Sequence, residues 1–448
     1  MKLNIMRIFL LNLLMFCLLP LVSQAEDIIY INKNTAEPTP IAINHFAGTD
    51  PADVKMAKDI GAVILHDLKG SGVFRPISPA AFIETKVGTN HNPLFAAWQQ
   101  INATLLLNGS VTRMESGNLQ VRFILWDVVL EQEMLRESFE LPERLWRRVA
   151  HKIADNVYYR ITGNEGYFNT RIVYVSEHGP YLKRVKRLAI MDQDGANHRY
   201  LTDGSDLVLT PRFSPSGKEI IYLSYKNRIP QVHTLDLRSG KSQLLGKFPG
   251  MSFAPRFSPD GNYAIMSIAK NGSTHIYEMN LKNKRMRQLT EGKSINTSPC
   301  YSPDSTKIVF NSDQSGSRQL YVMERNGDNL QQISIFGGGS YAEPTWSKNH
   351  FIAFTKMSRT VGFTIGVMRP RLIEDQNKER LIASGYLVET PAWAHNGRVM
   401  VFTKGIRPKD NNTKKLNRLY TIDITGYNER IIPTPHDASD PDWSRPID

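Results

Sequence analysis

A chain of 448 residues with 41 % apolar and 22 % charged side chains has the composition of a folded protein and the length of two or three domains. Its formal charge of +12 is unevenly spread: residues 26–165 hold 14 basic and 17 acidic side chains, residues 166–448 hold 39 and 26. The two cysteines offer no disulfide framework, and the 11 histidines form no H-x-H or H-E-x-x-H pair, so the sequence suggests neither a disulfide scaffold nor a metal site.

The first 25 residues read as a secretory signal peptide. Lys2 and Arg7 supply a basic start, Ile8 to Val22 an apolar run, and Ser23-Gln24-Ala25 a cleavage site that leaves Glu26 as the new N-terminus. A membrane anchor is the poorer reading, because the run falls short of the roughly 20 residues that span a bilayer. Asn12 and Pro20 also interrupt it. Lipid attachment at Cys17 wants a small residue before the cysteine, and Phe16 is not small. The mature chain is therefore expected to be soluble in an exported compartment. Only Cys300 remains there, as a small buried side chain of a repeat strand.

Residues 26–165 read as a small α/β domain. Asp27 to Asn32 and Thr39 to Ile43 are extended segments. Asp50-Pro51 caps and opens a helix whose apolar stripe is Met56, Ile60, Ile64 and Leu68. Ala103 to Val111, Leu119 to Trp126 and Gln132 to Phe139 are strands. A last helix from Glu143 to Ile161 buries Trp146, Val149, Ala150, Ile153 and Val157, and Gly163 ends it.

Residues 166–448 repeat one short motif six times. It is Thr210-Pro211-Arg212-Phe213-Ser214-Pro215, then Ala254-Pro255-Arg256-Phe257-Ser258-Pro259-Asp260-Gly261, then Ser298-Pro299-Cys300-Tyr301-Ser302-Pro303-Asp304. Glu343-Pro344-Thr345-Trp346-Ser347, Thr390-Pro391-Ala392-Trp393-Ala394 and Asp440-Pro441-Asp442-Trp443-Ser444 follow. The prolines recur every 44 to 50 residues, the length of one propeller blade. Ser-Pro-Asp-Gly makes a tight turn, since Pro fixes φ and Gly takes a positive φ. Each repeat then offers four short strands. The sixth has only its first strand, and the missing three are supplied by Arg171 to Ser176, Arg187 to Asp192 and His198 to Thr202. The prediction is a six-bladed β-propeller closed by three N-terminal strands and one C-terminal strand, which removes its sheet edges. The basic runs Lys183 to Arg187 and Lys282 to Arg287 fall at expected hairpins and read as solvated charge.

No catalytic constellation accompanies these elements. Gly337-Gly338-Gly339-Ser340 leads into a strand and lacks the lysine of a phosphate loop. Gly338 to Ala342 misses the last glycine of a nucleophile elbow, and Asp192-Gln193-Asp194-Gly195 reads as a hairpin turn rather than a calcium loop. No cofactor is expected.

With these motifs in this order, the chain from Glu26 to Asp448 resembles the TolB family, periplasmic components of the bacterial Tol–Pal system. Thr170-Arg171-Ile172-Val173-Tyr174-Val175, where the repeats begin, is also similar to the family's sequence. The resemblance implies an anticodon-binding-like α/β domain and a non-enzymatic role in outer-membrane integrity and cell division. It also implies two partners, TolA and the peptidoglycan-associated lipoprotein Pal. TolA would engage the mature N-terminal segment Glu26-Asp27-Ile28-Ile29-Tyr30-Ile31-Asn32-Lys33-Asn34-Thr35-Ala36-Glu37. Pal would engage the channel mouth just before the repeated prolines: Met251, Ser252, Phe253 and Ala254, then Asn296, Thr297 and Ser298 within Ile295 to Ser298, with Glu343 and Glu389. The alternative is a periplasmic propeller enzyme or glycan-binding module that uses a positive channel for anionic substrates.

Overall fold

The computed structural model describes residues 37–84, 88–180, 183–246, 248, 250–334, 338–370, 379–407 and 416–447, apart from the side chain of Asn227. The expected signal peptide, its cleavage site and residues Glu26 to Ala36 of the expected TolA segment lie outside the described residues.

The N-terminal part follows from its apolar periodicities. Its elements are β1 (Thr39–Ile43), β2 (Ala47–Gly48), α1 (Pro51–Gly70), β3 (Phe74–Pro76), α2 (Phe95–Gln100), β4 (Leu105–Arg113), β5 (Asn118–Asp127), β6 (Gln132–Pro142) and α3 (Trp146–Thr162). The sheet order is β3-β1-β4-β5-β6, with β2 on β4 and β1 parallel to both neighbours. Asp50 Oδ1 accepts the Asp53 amide at 2.8 Å and so satisfies one of the open donors of α1. Gly163, at φ +70°, ends α3. One sheet face, with Leu107, Phe123 and Leu125, buries Ile60, Ile64 and Leu68 of α1 and Val149, Ile153 and Val157 of α3. Alternate residues Leu106, Ile124 and Trp126 meet Trp98 of α2 on the other face. Trp146 is only partly buried against this core.

The repeats fold into six four-stranded antiparallel sheets. Their innermost strands are Val208–Phe213, Met251–Phe257, Asn296–Tyr301, Ser340–Trp346, Leu387–Trp393 and Asp437–Trp443, of blades I to VI in turn. Blade VI is completed by Arg171–His178, Val185–Asp192 and Arg199–Tyr200, so the ring closes with three N-terminal strands and one C-terminal strand. The motif aromatic wedges between blades. Tyr301 packs on Ile265 and Ile276 of blade II and on Ile308 and Phe310 of its own blade, and its hydroxyl donates to Glu278 Oε1 at 2.8 Å.

The motif serine works in a repeated way. Ser258 Oγ accepts the Tyr263 amide at 2.9 Å and the Ser258 amide donates to Tyr263 O, tying the inner strand to the next. Ser302 and Lys307 repeat the pair. At the seam the same two bonds join the chain ends: the Arg171 amide donates to Ser444 Oγ at 2.8 Å, and the Ser444 amide donates to Arg171 O at 2.9 Å.

The run at Lys183 to Arg187 corrects the expectation of solvated charge. Arg184 Nε donates to Glu177 at 2.8 Å and its other end pairs with Asp437, while Lys186 Nζ lies 3.1 Å from Glu177. These cations hold the closing strand. Hairpin position in the sequence does not reveal that partner, because Asp437 lies some 250 residues away.

Each motif proline follows a residue of positive φ: Thr210 (46°), Ala254 (48°), Ser298 (55°), Glu343 (52°), Thr390 (54°) and Asp440 (51°). The ladder shifts register at each of these points, so the six residues are β-bulges that turn the strand along the channel. A β-branched side chain tolerates this region poorly. Thr390 regains a hydrogen bond with Thr403 Oγ1 at 2.8 Å, whereas the buried Thr210 Oγ1 has no partner. Thr210→Gly is therefore expected to stabilise the protein by about 1 kcal/mol, after the flexibility cost of glycine is offset. Thr390→Gly should show no gain in urea denaturation. Equal losses in both variants would refute the assignment of strain to Thr210.

Candidate functional site

In a four-stranded antiparallel blade, the connections into the innermost strand lie at the same end as the second-to-third-strand hairpins. That end is the upper mouth of the channel. The Ser-Pro-Asp-Gly turns and the third-to-fourth-strand hairpins form the lower mouth.

The inner strand of blade II alternates as its pairing requires. Met251 is 52 % exposed, Ser252 is buried, and Phe253 and Ala254 are half-buried. In blade III the buried Asn296 donates to Thr274 O at 3.0 Å, and Thr297 Oγ1 accepts from Asn311 Nδ2 at 2.6 Å. Ser298 occupies the bulge. Glu343 Oε2 accepts the Thr390 amide at 2.7 Å and the Thr355 hydroxyl at 2.9 Å, which ties blade IV to blade V. Burial pushes its carboxyl above the usual range. Glu389 is half-buried opposite Thr403. The fold thus brings the residues expected at the upper mouth onto four neighbouring blades. Ser252 and Asn296 lie under the surface, and Glu343 joins blades.

The sequence reading missed an apolar rim. Leu207, Ile295 and Tyr386 are exposed in the connections into inner strands, and Ile229, Met357, Val361 and Ile406 are exposed at hairpins of the same end. A signal was available, since Leu207, Met251 and Ile295 each stand four residues before a motif proline. The hairpins there also carry exposed cations: Lys226, Arg228, Lys270, Arg318, Arg359 and Arg407. An apolar rim within a cationic surround suits a protein partner with an acidic border.

The α/β domain packs on the lower side of blades V and VI through a buried polar group. Asp67 of α1 accepts from Gln193 Nε2 of blade VI at 2.8 Å, and its other oxygen lies 2.6 Å from His151 Nδ1 of α3. Burial pushes the Asp67 carboxyl up, beyond what His151 offsets. Burial would depress the His151 imidazole, but the Asp67 carboxylate outweighs it and holds the group above its ordinary value. His151, Asp192 and Asp194 have ligand atoms within 4.8 Å of one another, as a metal would need. Arg147 already pairs with both aspartates, however, and Gly195 at φ +90° makes this segment the expected hairpin turn. Asp155 of α3 accepts the Phe168 and Asn169 amides of the linker at 2.8 and 3.0 Å, and burial pushes its carboxyl up to about 7. No helix among the described residues is long and apolar enough to cross a membrane.

Comparison with known proteins agrees with this architecture. The family model of the TolB amino-terminal domain matches residues 27–134, and that of the TolB β-propeller domain matches residues 158–447. The chain is 55 % identical over 438 residues to a Tol-Pal system protein TolB of Rickettsia bellii (strain OSU 85-389), covering 96 % of this chain and 98 % of that one. It is 54 % identical over 432 residues to the Rickettsia peacockii (strain Rustic) protein of the same name, covering 95 % and 97 %. The crystal structure of TolB from Acinetobacter baumannii shares the fold at a TM-score of 0.79 and 23 % identity, over 92 % of this chain and 97 % of that one. A paired TolB amino-terminal domain and closed TolB propeller, matched along nearly the whole length, place this chain in the TolB family of Tol-Pal system proteins.

Proposed function

We propose that the protein is a non-enzymatic periplasmic scaffold that receives Pal at the upper mouth of its propeller and TolA at its mature N-terminal segment, Glu26 to Glu37. In this role it supports outer-membrane integrity and constriction during division. The observation that carries the reading is the exposed apolar rim of Leu207, Met251, Ile295 and Tyr386 around the mouth to which the family resemblance assigns Pal. A rim of this kind loses water on docking and supplies the central contacts of an interface, while the hairpin cations steer an acidic partner.

The test is titration of the purified mature chain with Pal from the same organism. Saturable binding at about micromolar concentration is expected, weakened about tenfold or more by Met251→Glu combined with Ile295→Glu. Both positions are exposed, so the double variant should fold normally. Deleting Glu26 to Glu37 should abolish TolA capture and leave Pal binding in place. Absence of Pal binding, or binding that ignores the double substitution, would overturn the assignment of this mouth.

A further inference from the structure

The two arginines of the motif, Arg212 and Arg256, occupy a position that Cys300, Thr345, Ala392 and Asp442 fill in the other blades. Their blades are neighbours, so two guanidinium groups converge on one side of the channel. They open into a cavity of about 330 Å³ at the lower mouth, which is lined from all six blades. Its wall includes the aromatic rings of Phe213, Trp346, Trp393 and Trp443, and its only acidic lining residue among those described is Asp442. Asp442 Oδ2 already accepts the Phe213 amide at 2.8 Å. At the rim, Lys348 pairs with Glu165 at 2.5 Å and the His395 imidazole, pushed below its ordinary value by burial, lies 3.2 Å from the same carboxylate, whereas the exposed Arg445 makes no ion pair among the described residues.

The arginines feel Asp442, and Arg212 also feels Asp440 and Glu343, but only through space and without an ion pair. Arg212 is only 8 % exposed, and its Nη1 donates to Pro211 O at 2.7 Å. Among the described residues, neither Arg212 nor Arg256 has a carboxylate oxygen within 4.0 Å. Other arginines folded into this ring are closed by carboxylates: Arg398 by Asp423 at 2.6 Å and Arg325 by Glu278 at 2.7 Å. A buried cation without a close counter-charge is costly, and two that repel each other cost more.

We propose that this cavity is a binding site for a small oxyanion, a carboxylate or phosphate group gripped between Arg212 and Arg256. Such a group accepts paired N–H bonds from planar guanidinium forks and removes both the desolvation and the repulsion penalties. The depth of the site is set by charge. Glu343 and Asp440, one residue before the prolines, face Arg212 from the next layer up and repel an anion that moves further inward. The ligand therefore enters from the lower mouth and stops at the arginine layer.

Calorimetric titration of the mature full chain with inorganic phosphate and, separately, with citrate tests the site. At least one probe should bind saturably below about 10 mM, with a stoichiometry of one. Arg212→Gln and Arg256→Gln should each weaken binding about tenfold or more. Arg445→Gln, at the exposed rim, should weaken it less and cannot compromise the core. Binding of phosphate alone, of citrate alone or of both identifies which oxyanion geometry the site accepts. No saturable binding of either probe, or binding unchanged in all three variants, would overturn the proposal. Micromolar Pal binding by Arg212→Gln would show that losing the anion leaves the upper mouth intact.

Discussion

Trp443→Ala is expected to destabilise the protein by about 4 kcal/mol, because it removes a large buried ring at the one point where the ring is closed without a covalent connection. Trp443 is 6 % exposed, sits edge-on to Tyr167 with centroids 5.8 Å apart, and donates from Nε1 to Thr170 Oγ1 at 2.7 Å. Its strand, Asp437–Trp443, has no turn linking it to Arg171–His178, so side-chain packing, the ladder, the Ser444 bonds, the Arg184–Asp437 pair and the Asn169–Ile447 bonds are what resist opening. The comparison is Trp346→Ala in blade IV, where the Ser347 turn joins the same two strands covalently and limits fraying. Urea denaturation should show the larger loss for Trp443→Ala. Amide exchange in residues 171–178 should accelerate in that variant and stay slow in Trp346→Ala. Equal exchange in the two variants would show that the seam is no weaker than a continuous blade.

How much of this was legible in the sequence depended on the range of the interaction. The motif prolines, the turn glycines and the aromatic wedges act within one blade or between neighbours, and their spacing reveals them. Ring closure was legible for the same reason, since incomplete repeats at both ends must complement one another. The short β3 and α2 were not legible, because one buried side chain in each, Phe74 and Trp98, leaves no periodicity to detect. The upper mouth was legible as a place but not as a chemistry. Positions before the prolines were named, yet sequence could not tell that Glu343 would turn inward to cap the Thr390 amide while Met251 faced outward. The Arg184–Asp437 pair and the Asp67 group were hidden because their partners are distant in the chain and carry no motif.

Asp67→Ala is expected to cost about 3–5 kcal/mol, the usual penalty for removing one partner from a buried charged group. Asp67 is the only contact among these that binds three elements at once: α1 itself, His151 of α3 and Gln193 of blade VI. Without it two buried donors lose their acceptor, and the packing of the α/β domain on the propeller loosens. Asn428 Nδ2 to Gly70 O, at 2.7 Å, is a nearby remaining bond from α1 to the ring. Limited proteolysis should then cut the linker between Gly163 and Arg171 faster in the variant. Asp67→Asn keeps one acceptor and should lose about 1–2 kcal/mol. The pH dependence follows from the direction of the shifts. His151 is held above its ordinary 6.5 and Asp67 above 3.8, so both favour the protonated form in the folded state. Their contribution is complete at pH below those ordinary values and is lost as pH rises through the raised ones. Wild-type stability should therefore decline on the alkaline side of 6.5, and Asp67→Ala should flatten that decline. A decline of the same steepness in the variant would mean that groups outside the Asp67–His151 pair set the pH dependence above 6.5; Asp155, pushed from 3.8 up to about 7, acts almost wholly below it.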